Sequence, residues 1–291
     1  NDNPRGNHDR RGEPPFSIEI QEAGQLFGDK FFGPEQVEDT FDVHLNPDQI
    51  PDIGEYLVQR GMTKEHLERL AAAGFRFVLR TDKSRDGSPL TMEKMEKDLD
   101  QKFNNKQKGK VLYTASPYDW YIKPPKEAFY TTEATKLEWA LVYDGVVLGT
   151  TDKNYLEQTE IVIDYLKSTV FNGQSLPTHY QEAVDEFEAQ KTNIATLMTD
   201  ATWKQAADKL AALKITQITT HAPQDVIYDM VMVTWKDDNV RFLPNIWTWT
   251  KGRARDGLFV LVGSSGAGGA GVVGRLGPWD HNSRLGRYLS L

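Results

Sequence analysis

The stretch LFVLVGSSGAGGAGVVGRLG, residues 258–277, decides how this chain is read. Leu258 to Val262 are apolar, as in a strand. Gly266-Ala267-Gly268-Gly269-Ala270-Gly271 then spells G-x-G-x-x-G, the spacing that brings backbone close to a pyrophosphate. Gly263 and Gly268 also sit at the two glycine positions of a Walker A loop. Both phosphate readings fail on context. In the Walker frame Gly269 stands where the lysine must be, so nothing reaches the β- and γ-phosphates. The dinucleotide fingerprint needs a helix after the glycines, a second parallel strand and an acidic residue roughly 20 positions on. Beyond Gly271 come three more glycines, at 274, 277 and 286, and Pro278, which do not make a crossover helix. No nucleotide cofactor is expected, so the glycines need another explanation.

The rest of the chain narrows the options. With 39% hydrophobic and 26% charged residues over 291 positions, the composition fits a soluble globular protein with a proper core. No apolar run reaches the ~20 residues of a membrane span. Cysteine is absent, which excludes disulfides, thiol catalysis and cysteine-ligated zinc and points to a cytoplasmic rather than a secreted setting. Net charge is −8, unevenly spread. Residues 244–291 hold six basic and two acidic side chains (+4), leaving 28 basic and 40 acidic (−12) in the remainder. Four net charges without a dense Lys/Arg stripe do not make a nucleic-acid surface.

Candidate chemistry is sparse. The histidines (His8, His44, His66, His179, His221, His281) show neither H-x₃-H nor H-E-x-x-H pairing, so they read as surface or capping residues. Asp237-Asp238-Asn239 lacks the alternating oxygen ligands of a calcium loop and reads as an exposed turn. No G-x-S-x-G elbow occurs, and Ser264 and Ser265 have no evident base. Trp235, Trp247 and Trp249 read as core before they read as a stacking platform. No enzyme, metal or cofactor is expected.

Periodicity gives an outline. Residues 1–15 read as a disordered tail. Thr63 caps a short helix that Gly74 ends. Phe75–Arg80 alternates as a half-buried strand, Met92, Met95, Leu99 and Phe103 mark an amphipathic helix, and Asp144-Gly145 signals a hairpin. From Tyr155 to Trp235 apolar residues recur at helical spacing in four blocks, after which short strands and turns return. Fifty C-terminal residues cannot bury a core alone, so they must pack on earlier strands.

Composition then sets the C-terminus apart. Residues 254–291 contain no Lys, Glu, Gln, Met, Ile, Thr or Cys. Trp279 aside, the residues present are those an AAC asparagine codon yields when its adenines are replaced. The pattern TWTKGRARDGLFVLVGSSGAGGAGVVGRLGPWDHNSRLGRYLSL resembles the variable C-terminus of proteins diversified by diversity-generating retroelements. Gly28–Val37 and Ser116–Phe129 are similar to segments of bacterial proteins with such ends. About half the chain takes part in the resemblance.

The resemblance implies an α+β, C-type-lectin-like domain. It would be discontinuous, with residues 16–154 forming its N-terminal part and 238–291 completing it around a helical insertion at 155–237. It implies a non-enzymatic display protein that recognises a protein or other macromolecular ligand, with no nucleic-acid partner. Asp256-Gly257, Val260, Val262-Gly263, Pro278 and Leu285-Gly286 would be fixed. Phe259, Leu261, Ser264, Ser265, Arg275, Asp280, His281, Asn282, Arg284 and Arg287 would be displayed, and the glycines would be partly sampled residues. Alternation about Val260 and Val262 agrees with that division. Leu243-Pro244-Asn245 and Trp279-Asp280-His281 depart from the calcium-dependent sugar motifs, so such sugar binding is not expected. A different reading keeps the helical block as the working, interacting part and the C-terminus as merely glycine-rich.

Overall fold

A computed structural model of the protein describes residues 16–237, 240–274 and 276–291; the expected tail at 1–15 lies outside them, as do Asp238 and Asn239 of the turn. The described strands form two sheets. In the first, β1 (Phe31–Phe32) runs parallel to β2 (Arg76–Arg80), which pairs antiparallel with β3 (Glu138–Val142). In the second, β4 (Trp247–Arg253), β5 (Phe259–Gly266), β6 (Gly269–Val273) and β7 (Leu285–Gly286) lie in the order β6-β5-β4-β7, antiparallel except for the β4–β7 pair. The architecture is α+β.

The glycine-rich stretch is therefore a β-hairpin, with Ala267-Gly268 at its turn. Its glycines are packing positions. Residues 110–113 run along the hairpin, donating Lys110 N to Ala267 O (3.1 Å) and Tyr113 N to Ala270 O (2.9 Å) and accepting from Ala270 N at Val111 O (2.9 Å). This puts backbone against Gly269, where a Cβ would lie 2.6 Å from Leu112 O and 2.7 Å from Tyr113 N, and its φ of +105° also favours glycine. At Gly263 a Cβ would meet Trp247 Cα at 2.7 Å. No phosphate is needed to explain them.

Eleven α-helices are described: α1 (Ile20–Phe27), α2 (Pro34–Phe41), α3 (Ile53–Gln59), α4 (Lys64–Ala72), α5 (Met92–Asn105), α6 (Ala128–Thr131), α7 (Tyr155–Tyr165), α8 (Thr178–Leu197), α9 (Trp203–Ala212), α10 (Lys214–Thr219) and α11 (Pro223–Lys236). The helix at Thr63 forms as expected, with the His66 imidazole returning to Thr63 N (3.1 Å) in place of the usual Glu of a capping box. The block at 155–237 holds five α-helices, and the last of them packs deeply against elements outside the block. α11 is buried from Pro223 to Thr234 except at Asp225, and packs against α2, α5, α6, β4 and β5. Periodicity shows a helix there but cannot show that both of its faces are covered.

Two further expectations change. β2 is buried along its whole length, because Arg76 ion-pairs with Asp144 and Arg80 with Asp229 (2.8 Å), so charged residues that look outward-facing point into the molecule. The Asp144-Gly145 turn makes no hairpin; β3 pairs instead with the C-terminal segment. Leu291 N donates to Leu141 O (2.9 Å), Tyr143 N to Leu289 O (3.0 Å) and Val147 N to Arg287 O (2.9 Å). Residues 285–291 thus join the two sheets: Leu285-Gly286 pair with β4, and the residues that follow pair with β3.

A buried polar network lies at that junction. Arg80 Nη2 donates to Asp229 Oδ2 (2.8 Å), Tyr288 OH donates to the same oxygen (2.7 Å), and Arg80 Nη2 approaches His221 Nδ1 at 2.9 Å. His221 stacks on Tyr288 with centroids 4.1 Å apart. A guanidinium only donates, so Nδ1 accepts and the imidazole is neutral. Burial, then the Arg80 charge, holds His221 well below the ordinary histidine value. Burial also pushes the Asp229 carboxyl up, against the pull of Arg80.

Candidate functional site

The residues expected to be displayed separate into three groups. Phe259, Leu261 and Arg287 are buried and correct the expectation. β5 is covered on both faces: α11 packs against it, and Phe259 stacks on Tyr155 with centroids 4.8 Å apart. A strand buried on both faces reads as a continuous apolar run, and the five residues from Leu258 are such a run; alternation is the wrong template. Arg287 lies over the Tyr155 ring at 4.5 Å and donates to Thr220 Oγ1 (2.7 Å). Arg275 lies outside the described residues.

A second group is partly exposed yet holds local structure. Asp280 Oδ2 accepts from Gly277 N (2.6 Å), Asn282 Oδ1 accepts from Arg284 N (2.8 Å), and Ser265 Oγ donates to Phe242 O. The first two fix local turns by pairing a side chain with backbone, and the third ties β5 to the segment ahead of β4.

The third group, Ser264, His281 and Arg284, is free of such duties toward its own loop. His281 and Arg284 are exposed and Ser264 is half-buried. His281 reaches across to the 152–157 segment, with Nε2 3.6 Å from Glu157 Oε2. Ser264 and Arg284 are twenty residues apart in sequence, but both sit on the start of β4. Ser264 N donates to Ile246 O (2.7 Å), and Trp247 N donates to Arg284 O (2.7 Å).

An aromatic row, missed by sequence reading, adjoins this end of the sheet. Trp247 pairs with Gly263, which pairs with Gly271, so the indole has two side-chain-free positions beside it on the same row. Its Cζ3 lies 3.1 Å from where a Gly271 Cβ would be. Tyr118 stacks parallel to Trp247 (6.4 Å between centroids, 6° between planes), and Tyr113 meets Tyr118 edge-on at 5.3 Å. Tyr113 is exposed and would sit 3.0 Å from a Gly268 Cβ; Trp120 would sit 2.9 Å from one at Gly274. The glycine spacing 268, 271, 274 is thus the imprint of three rings. That signal was present, because glycines opposite aromatic residues in a hairpin mark close ring-on-backbone packing.

Charge near this face is mixed, with Arg284, His281, Asp280 and Glu157 in the neighbourhood. Among the described residues no group of three or more His, Asp or Glu side chains is placed to hold a metal ion, and no helix is long and apolar enough to cross a membrane. Comparison with protein-family models, with curated proteins and with solved structures finds no match for the chain.

Proposed function

We propose that this is a non-enzymatic ligand-binding protein of C-type-lectin-like architecture. Its C-terminal sheet end would present a changeable surface, diversified by a retroelement, to a protein or other macromolecular ligand. The observation that carries the reading is the convergence of Ser264 and Arg284 on Ile246-Trp247. Residues from the glycine hairpin and from the last loop meet beside an aromatic row on a sheet that is covered on both faces. Rigid, amphipathic rings flanked by replaceable polar side chains suit recognition of a macromolecule, since aromatic and arginine side chains commonly dominate interface energetics. Among the described residues, the burial of Phe259, Leu261 and Arg287 reduces the display set to Ser264, His281 and Arg284, with Asp280, Asn282 and Ser265 as its frame.

The non-enzymatic part is supported by how the candidate groups among the described residues are engaged. Ser265 Oγ is bonded to a backbone carbonyl, and the buried His221, Arg80, Asp229 and Tyr288 are occupied with one another. The test joins genetics and binding. Sequencing the 3′ end of the gene across sibling cells should show changes at codons 264, 281 and 284 and none at codons 259, 261 and 287. A triple replacement at the three sites should shift the melting temperature by no more than about 6 °C, in line with ~0.5 kcal/mol or less per surface site. Variation spread evenly over the six codons would remove the reading.

A further inference from the structure

A cavity of about 690 Å³ lies away from the display face, lined by residues of β3, the 133–136 loop, the start of α11 and the end of β4. That volume falls within the ~300–1,000 Å³ of small-molecule sites. Arg80 and His221, both almost wholly buried, form part of its wall. Three wall cations, Arg60, Lys136 and Lys251, have no carboxylate oxygen within 4.0 Å among the described residues. The nearby carboxylates are drawn to another cation: Asp225 and Glu138 approach Arg80 Nη1 at 3.7 and 3.9 Å. Glu133, a further wall carboxyl with an exposed side chain, is pushed up by partial desolvation and by Asp225 and pulled back down by Lys251, which is near it without an ion pair. Gln224 is 6% exposed and donates Nε2 to Ala134 O (3.3 Å), while its Oε1 has no hydrogen-bond partner. A buried acceptor left unmade costs ~1–3 kcal/mol, so a donor brought by a ligand would be favoured there.

We propose that this cavity binds a small hydroxylated organic anion, its oxyanion held by Lys136, Lys251 and Arg60 and a hydroxyl donating to Gln224 Oε1. The proposal does not depend on the display surface. Titration calorimetry of the full chain with gluconate, glucose 6-phosphate and uncharged glucose tests it, the first two distinguishing a carboxylate from a phosphate. Saturable binding of gluconate or glucose 6-phosphate at millimolar concentration or tighter, weakening as salt rises, is expected, with glucose at least tenfold weaker. The K136M/K251M variant should lose at least tenfold in affinity while melting as the parent does. The single variants K136M and K251M serve if the double variant is unstable, each with a measurable loss. Binding of neither anion, equal binding of glucose, or full affinity in the lysine variants would each overturn the proposal.

Discussion

Adding one methyl group at different points of the glycine hairpin should have opposite effects. At Gly269 the backbone has φ +105°, and an added Cβ would lie 2.6 Å from Leu112 O and 2.7 Å from Tyr113 N. Neither atom is the free end of a side chain, so relief requires moving residues 110–113, which are hydrogen-bonded to the hairpin on both sides. Gly269→Ala therefore carries ~1–2 kcal/mol for the left-handed backbone and a further ~1–3 kcal/mol for overpacking. At about 2–4 °C per kcal/mol for a chain of this size, the melting temperature should fall by roughly 5–15 °C. Gly266 is the contrast: it lies at the end of β5 outside the left-handed region, with nothing within 4 Å of an added Cβ. Gly266→Ala should be neutral or stabilise by up to ~1 kcal/mol, because it restricts the unfolded chain. Thermal melts by circular dichroism, with urea midpoints as a second measure, decide the matter. If Gly269→Ala melts with the parent, the hairpin glycines are not packing positions, and the reading of the whole C-terminus as built around them fails.

Three other outcomes are expected. Leu261→Ala should cost ~2–5 kcal/mol and Phe259→Ala ~3–5 kcal/mol in urea unfolding, against ~0.5 kcal/mol or less for His281→Ala, because only the first two leave a cavity. Deleting residues 244–291 should give an aggregating product, since it strips the edge of β3 and uncovers α11; a monomer that melts cooperatively would contradict this. The third outcome concerns pH. His221 is held below its unfolded value of ~6.5, so the unfolded chain takes up the proton more readily, and stability present above pH ~6.5 should be lost as pH falls below it. Asp229, raised by burial, acts in the opposite sense and nearer the carboxylate range. Comparing the parent with His221→Gln, whose amide oxygen can still accept from Arg80, isolates the histidine. The variant's melting temperature should change less between pH 7 and 5.5, and equal slopes would exclude His221 as the group responsible.

How much of this could be read from sequence depends on what each signal measures. The strand read at 258–262, which the structure has at Phe259–Gly266, the cap at Thr63 and the helix carrying Met92, Met95, Leu99 and Phe103 follow from local chemistry. The failures share one cause. Periodicity reports which side of an element is apolar, and it says nothing about a charged residue satisfied inside or about a second covering layer. Arg76 and Arg80 on β2, Arg287 beside Tyr155, and Phe259 and Leu261 on β5 were all misplaced for that reason. Each is buried because a distant partner, Asp144, Asp229, Thr220, Tyr155 or α11, arrives from another part of the chain. The candidate site was legible only in part for the same reason. Ser264, His281 and Arg284 enter only through the resemblance, and nothing local says that residues 118 and 247 stack, or that residues 264 and 284 flank one strand end.

The glycines join these two kinds of information. A residue copied with errors at adenines can become glycine by sampling, whereas Gly263 and Gly269 are required by backbone, Gly271 and Gly274 are crowded by the rings of Trp247 and Trp120, and Gly268 is in tight contact with the exposed Tyr113 ring. Only Gly266 in the hairpin is free to be anything else. A diversified terminus built on this fold must therefore vary around its glycines and not through them. Sampled positions can lie only where an added side chain meets solvent, and those are the positions on which a ligand would bear. The required glycines lie where the sheet needs close approach, whereas Ser264, His281 and Arg284 lie at its end, the last two beyond residue 277 and Ser264 at a φ of +49° that limits what can replace it.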